Sequence, residues 1–269
     1  MNTFTPASDE ILFERRGAVA LVTLNRPQAL NSFTLSMHRA LQQALAEVER
    51  DASVRALVLT GAGRGFCAGL DLSVLDFSPG PDRLQRISPG PVLDEGFNPT
   101  AKALMNLRVP TVAAVNGVAA GAGVSLALTC DLAIAAPTAS FVQAFSKIGL
   151  IPDAGGSWLT VDRLGLARAM GMAMLGDKLG ADQAKAWGLI WDVADDPLAA
   201  ALALAERLAA MPTRALVATR HLLRGALQRS FEAQLDAERE LQTALGRTHD
   251  YAEGVTAFLE KRAPQFRGQ

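Results

Sequence analysis

Between Val109 and Cys130 the chain carries no charged side chain. A run of that length is enough to span a bilayer. Pro110, the Asn116-Gly117 pair and the Gly121-Ala122-Gly123 triplet interrupt it, so it cannot form one continuous apolar helix. Thr111–Val115 is a short apolar run ended by a turn, and Val124–Thr129 follows the glycines with an apolar helical pattern. The stretch predicts a strand, a turn and a helix, all buried inside an α/β core rather than in a membrane.

The same grammar recurs. Ala18–Leu24 stops at Asn25-Arg26-Pro27, Val54–Thr60 stops at Gly61-Ala62-Gly63, and Leu132–Ala136 stops at Pro137. These runs predict buried strands. Between the first two, Met37, Leu41, Leu45 and Val48 have helical spacing, with Thr34 as N-cap. Strands alternating with helices predict several parallel strands. Asp76–Pro99 breaks the pattern with Ser78-Pro79-Gly80-Pro81 and Ser88-Pro89-Gly90-Pro91, which predicts a long irregular flap beside a pocket. From Ala181 the chain is mostly helical. Asp182 opens a short helix ended by Gly188, Leu198–Met211, Arg214–Leu227 and Tyr251–Arg262 are further helices, and Ser230 caps another.

Composition excludes several functions. A net charge of −1 leaves no basic stripe for nucleic acid, and Arg39 and Arg50 on the first helix are balanced by Glu47 and Glu49. Cys67 and Cys130 lack paired spacing and predict two buried thiols in a reducing compartment. Asp9 and Glu10 near the start, without an apolar segment, predict no secretory signal and a cytoplasmic protein. His38, His221 and His249 have no ligand spacing, so no metal site is expected.

Three segments carry the chemistry. Gly61-Ala62-Gly63-Arg64-Gly65-Phe66 follows a strand, but Phe66 stands where a dinucleotide fingerprint needs glycine, and no phosphate-binding P-loop exists. The loop is either an ordinary turn or a set of N–H groups facing a ligand oxygen. Asn116–Gly123 opens a helix whose first N–H groups can stabilise an oxyanion, or it simply allows close backbone packing. Asp131 and Asp153 are the only carboxylates between Val109 and Gly156, and Asp153 lies in the loop Leu150-Ile151-Pro152-Asp153-Ala154-Gly155-Gly156. Exposed amides and one isolated acid form a minimal kit for moving a proton beside a carbonyl. The alternative for Asp153 is a cap on the helix that begins at Gly155-Gly156.

Taken together, Gly65–Leu72, Asn116–Gly123 and Phe141–Gly156 resemble the enoyl-CoA hydratase/isomerase (crotonase) superfamily. Leu24-Asn25-Arg26-Pro27 with Leu30-Asn31-Ser32, and Glu253-Gly254 with Phe258–Arg262, resemble its terminal signatures. The resemblance implies an α/β fold, a spiral of β-β-α turns over residues 1–196. It further implies a helical region over 197–269 that builds trimers, often stacked as hexamers, and acyl-CoA substrates with no cofactor beyond the CoA they carry. By position it implies that the N–H groups of Leu70 and Ala122 form an oxyanion hole, and that the Ala68 carbonyl meets the adenine. Arg64 and Lys261 are implied phosphate contacts, Lys261 from a neighbouring subunit.

A water-adding member of the family uses two glutamates, and Ser125 and Phe145 stand at those positions. Asp153 falls where several family isomerases carry a single acid/base, with Leu150, Ile151, Pro152 and Ala154 expected to desolvate it. Gly61–Gly69, Phe145–Asp153 and Arg168–Gly171 are similar to the branch that isomerises ring-epoxide thioesters. The alternatives are a general enoyl-CoA isomerase or hydratase, an aryl-CoA dehalogenase, and a non-catalytic acyl-CoA or RNA binder. Phe145, in place of the tryptophan that supports dehalogenation, counts against the dehalogenase.

Overall fold

The computed structural model describes residues 4–269. The antiparallel hairpin of β1 (Ile11–Arg16) and β2 (Val19–Leu24) leads into α1 (Leu35–Arg50). Thr34 caps α1, its Oγ1 accepting from Met37 N at 3.1 Å, and Met37, Leu41, Leu45 and Val48 are all buried as their spacing predicts. Then come β3 (Ala56–Gly61), β4 (Gly65–Cys67), α2 (Arg83–Arg86), α3 (Gly90–Val92) and α4 (Asn98–Met105). The next turn is β5 (Thr111–Val115), β6 (Val118–Ala120) and α5 (Ala122–Thr129). It is followed by β7 (Leu132–Ala135), β8 (Ser140–Val142), α6 (Gly156–Leu164) and α7 (Leu166–Leu175). β9 (Lys178–Gly180), α8 (Ala181–Trp187) and β10 (Asp192–Val193) complete the sheets.

The strands form two sheets, β1-β2-β3-β5-β7-β10 and β4-β6-β8-β9. Within them, β2-β3-β5-β7-β10 and β4-β6-β8 pair in parallel. Each β-β-α turn therefore adds one strand to each sheet and one helix outside, which is the spiral the resemblance implies.

Because both faces of the large sheet are covered, its strands read as continuous apolar runs. Ala20, Val22, Leu57, Leu59, Ala113 and Val115 face the main core. The alternate residues Val19, Leu21, Val58 and Val112 pack against Ala201, Ala205 and Ala209 of α9 (Pro197–Ala209). Small residues on α9 let it sit close to the sheet. Beyond it lie α10 (Thr213–Ala226), α11 (Phe231–Leu245) and α12 (His249–Leu259). These helices leave Leu223, Leu227, Phe231, Phe258 and Leu259 largely exposed in the single chain.

Asp131 has a structural post. Its carboxylate accepts from Arg220 of α10 at 2.6 and 2.5 Å and from Thr111 N at 2.8 Å, while Arg220 also donates to the carbonyls of Leu107 and Val109. The C-terminal helices are thereby fastened to the sheet through a partly buried ion pair.

The flap expectation needs correction. Residues 76–89 are irregular apart from α2, but from Gly90 the backbone follows one helical path through α3, a π-helical turn over Leu93–Phe97, and α4. Pro99 stands in the first turn of α4, and the wider turn before it relieves the clash and missing hydrogen bond that proline imposes on a regular helix. Among the described residues, no helix is long and apolar enough to cross a membrane.

Candidate active site

Asn31 organises the first glycine loop. Fully buried with φ of 57°, it donates through Nδ2 to the carbonyls of Ala62, Gly65 and Phe66 at 3.0, 2.9 and 3.1 Å. Its Oδ1 accepts from Arg26 N at 2.8 Å. One amide thus holds the loop that leads to Leu70. The signature Leu30-Asn31-Ser32 flags this residue in the sequence but does not say what it binds.

Glycines then bring two loops into contact. A Cβ on Gly117 would lie 2.1 Å from Arg64 O, and one on Gly123 would lie 2.1 Å from Cys67 O. Gly69, at φ +89°, passes so near the other loop that a Cβ there would lie 3.2 Å from Ala122 N. Phe33 N donates to Gly69 O at 2.7 Å and Asp71 N to Phe33 O at 3.0 Å, so the bonds flanking Leu70 skip its own N–H. Ala122 is the first residue of α5, where an N–H has no partner within the helix. Among the described residues neither amide has a backbone acceptor outside regular elements. Two neighbouring unpaired N–H groups, one carrying the positive end of a helix, can hold an oxyanion.

Asp153 is tied to the same helix. Ser125, one turn on from Ala122, donates its hydroxyl to Asp153 O at 2.8 Å, and Gly156 N donates to that carbonyl at 2.7 Å. The two residues that follow turn left-handed, Ala154 at φ +49° and Gly155 at +81°. The carboxylate itself does not cap α6, whose N-cap is Gly155 with no side-chain bond, so the capping alternative fails. Asp153 Oδ1 is buried and has no partner among the described residues. Burial pushes the carboxyl up to about 6, against a smaller opposing hydrogen bond from its own N–H.

The source of that burial differs from the expectation. Leu150 and Ile151 turn outward, 41% and 80% exposed, and only Ala154 of the apolar neighbours is buried. Desolvation comes from segments packed over the loop, α5 among them, which sequence adjacency cannot reveal.

A small cavity of about 10 Å³ lies beside these parts. Ala122 and Ala154 contribute to its walls, together with Phe33, His38, Phe97, Thr100, Ala101 and Leu126. Phe97 comes from the π-helical turn, so that segment does border the site. His38 is 1% exposed, and burial pushes it down to about 4, so it is neutral at pH 7. The sequence places His38 on a helix with nothing to mark it as part of a site.

The remaining candidates are less closely joined. Ala68 is half-buried, its N–H donating to Leu30 O at 2.9 Å. Arg64 is exposed on the turn that packs against Gly117. Lys261, exposed at φ +55° just beyond α12, makes no side-chain hydrogen bond or ion pair among the described residues. Ser125 and Phe145 are both buried, and Phe145 packs its ring against Gly121. Cys67 and Cys130 are buried, with burial pushing each thiol up to about 12, which leaves them inert. Among the described residues, no group of three or more His, Cys, Asp or Glu side chains is placed to hold a metal.

Comparison with known proteins identifies the family. The family model for enoyl-CoA hydratase/isomerase matches residues 14–269. The 1,2-epoxyphenylacetyl-CoA isomerase of Escherichia coli (strain K12) is 49% identical, over 96% of this chain and 98% of that protein. The 2,3-dehydroadipyl-CoA hydratase of the same organism is 35% identical over 97% and 99%. A crystal structure of an enoyl-CoA hydratase from Polaromonas sp. JS666 superposes with a TM-score of 0.86 at 33% identity, covering 95% of this chain and 99% of that one. With the spiral and a match over residues 14–269 in agreement, this chain belongs to the enoyl-CoA hydratase/isomerase family and has the crotonase fold.

Proposed function

We propose that this protein is an acyl-CoA isomerase in which the N–H groups of Leu70 and Ala122 hold the thioester oxygen while Asp153 moves a proton. Asp153 takes a proton from the carbon next to the thioester carbonyl. The negative charge passes to the carbonyl oxygen, between the two amides, and the proton returns further along the acyl chain. A 3-enoyl-CoA becomes a conjugated 2-enoyl-CoA in this way. The preferred substrate in this reading is 1,2-epoxyphenylacetyl-CoA, rearranged to its oxepin isomer. The observation that carries the proposal is the buried, unpartnered Oδ1 of Asp153, a residue whose backbone carbonyl Ser125 holds to the helix that presents Ala122. A carboxyl pushed up to about 6 is well matched to giving and taking protons near neutral pH.

The reaction uses no metal or redox cofactor, since the CoA arrives with the substrate. Ala68, Arg64 and Lys261 are its proposed contacts to the CoA, Lys261 from a neighbouring subunit of a trimer or hexamer, in a cytoplasmic protein. Hydration is the less suited reaction, because a buried serine and phenylalanine stand where two glutamates are needed. Incubation with 3-hexenoyl-CoA, crotonyl-CoA and 1,2-epoxyphenylacetyl-CoA, followed by mass and ultraviolet absorbance, tests the reading. Isomerisation of the first and third supports it. Hydration of crotonyl-CoA as the dominant reaction overturns it.

A further inference from the structure

An isolated parallel bridge joins Phe33 to Leu70. Its two hydrogen bonds run from Phe33 N to Gly69 O at 2.7 Å and from Asp71 N to Phe33 O at 3.0 Å. In a parallel pair, a residue flanked by two such bonds turns its own N–H and C=O to the opposite side. Leu70 is the flanked residue, so this bridge sets the direction of its N–H. A one-residue bridge has no neighbouring ladder to stiffen it, and something else must hold the two chains in register.

Arg26 grips both of them with a single nitrogen. Its Nη1 donates to Ser32 O at 2.5 Å, one residue before Phe33, and to Asp71 Oδ2 at 2.8 Å, one residue after Leu70. Asp71 Oδ1 accepts from Ser73 N at 3.0 Å, which fixes the carboxylate from the other end. The arginine is itself anchored: its Nε lies 3.1 Å from Glu10 Oε1, and its backbone N–H donates to Asn31 Oδ1 at 2.8 Å. Both side chains of the Arg26–Asp71 pair are only 16% exposed, where a charge-assisted bond is weakly screened. Bonds from Ser73 and Arg26 outweigh burial and hold the Asp71 carboxyl below the usual carboxylate range, so it is charged at neutral pH.

We propose that Arg26 is a positioning residue for the oxyanion hole, acting through Ser32 and Asp71 to aim the Leu70 N–H at the thioester oxygen. This rests on the acyl-CoA isomerase reading and extends it to residues that do not touch the substrate. An oxyanion donor works only when its N–H points at the developing charge, and a small misalignment forfeits much of its effect.

The test reads the polarisation of a bound carbonyl. Hexanoyl-CoA carrying carbon-13 at the thioester carbonyl has no double bond to move, so its C=O stretch is followed in the wild-type protein by isotope-edited infrared spectroscopy. A carbonyl held by two N–H groups absorbs at lower frequency than in water. Arg26→Met returns most of that shift toward the solution value, and Arg26→Lys, which keeps a charged donor, recovers part of it. Arg220→Met, which breaks the Asp131 ion pair on α10, leaves the band in place and shows that lost stability alone does not move it. In turnover of 3-hexenoyl-CoA, Arg26→Met lowers kcat about 10- to 100-fold with little change in KM. Asp71→Asn lowers kcat in the same direction, and the double variant falls no more than about twofold below the worse single one, because both break one link. An unmoved band in Arg26→Met, or an equal movement in Arg220→Met, overturns the proposal, and because only bound ligand gives the shifted band, a poorly folded fraction does not mask the result. Isomerisation with a band that ignores Arg26 removes the positioning role alone. A band that depends on Arg26 in a protein that isomerises nothing removes the isomerase reading alone. A band at its solution position in the wild type overturns both.

Discussion

Asp153→Asn separates the chemistry of the site from its cost. Burial raises the carboxyl from 3.8 to about 6. At about 1.4 kcal/mol for each tenfold change in proton affinity, keeping the charge inside the fold costs about 3 kcal/mol at neutral pH. The folded state binds this proton more tightly than the unfolded chain. Its contribution therefore favours folding below about pH 3.8 and disappears as pH rises through 6. Asparagine does not titrate, so the stability gap between variant and wild type moves in the variant's favour by about 2 kcal/mol between about pH 4.5 and pH 7.5. All other groups titrate alike in both proteins and cancel. Urea unfolding followed by circular dichroism, at one protein concentration across that range, reads the gap directly. A gap constant to within about 0.5 kcal/mol would refute the desolvated carboxyl and, with it, the reason for assigning this residue the proton relay. The same carboxyl makes wild-type kcat/KM fall about tenfold per pH unit well below pH 6. The variant binds acyl-CoA but does not isomerise it.

Ala122→Pro removes one of the two proposed oxyanion donors, and because Ala122 is the first residue of α5, where proline is well tolerated, the helix survives. Turnover of 3-hexenoyl-CoA drops by about 100- to 1000-fold with an unchanged circular dichroism spectrum. Gly123→Ala forces a methyl group into Cys67 O and destabilises the fold by about 1–3 kcal/mol, read as a lower urea midpoint. Arg220→Met leaves the half-buried Asp131 without its main partner and costs about 3 kcal/mol in the same assay. A loss below about 1 kcal/mol would mean that Arg224, 3.3 Å from Asp131, carries the pair alone.

Much of the fold was legible because local rules and global packing agree. The strand runs, the Thr34 and Ser230 caps and the Gly188 helix end all fall where the sequence predicts. The helix through Gly90–Met105 was not legible, because proline-glycine pairs read as breaks wherever they stand, while the chain uses them in first turns. Asp153 stood out by isolation, and Leu70 and Ala122 by resemblance.

The order of charges, glycines and apolar runs by itself determined the α/β class, the buried central unit and the identity of the lone acid, since each depends on residues near one another in the chain. Only the tertiary structure decided that Ala122, Ser125 and Asp153 share one scaffold, that Leu150 and Ile151 turn away from the acid, and that His38 faces the same cavity. Those facts depend on which backbones approach at 2–3 Å across wide gaps in sequence, and desolvation follows that packing rather than the neighbours a residue has along the chain.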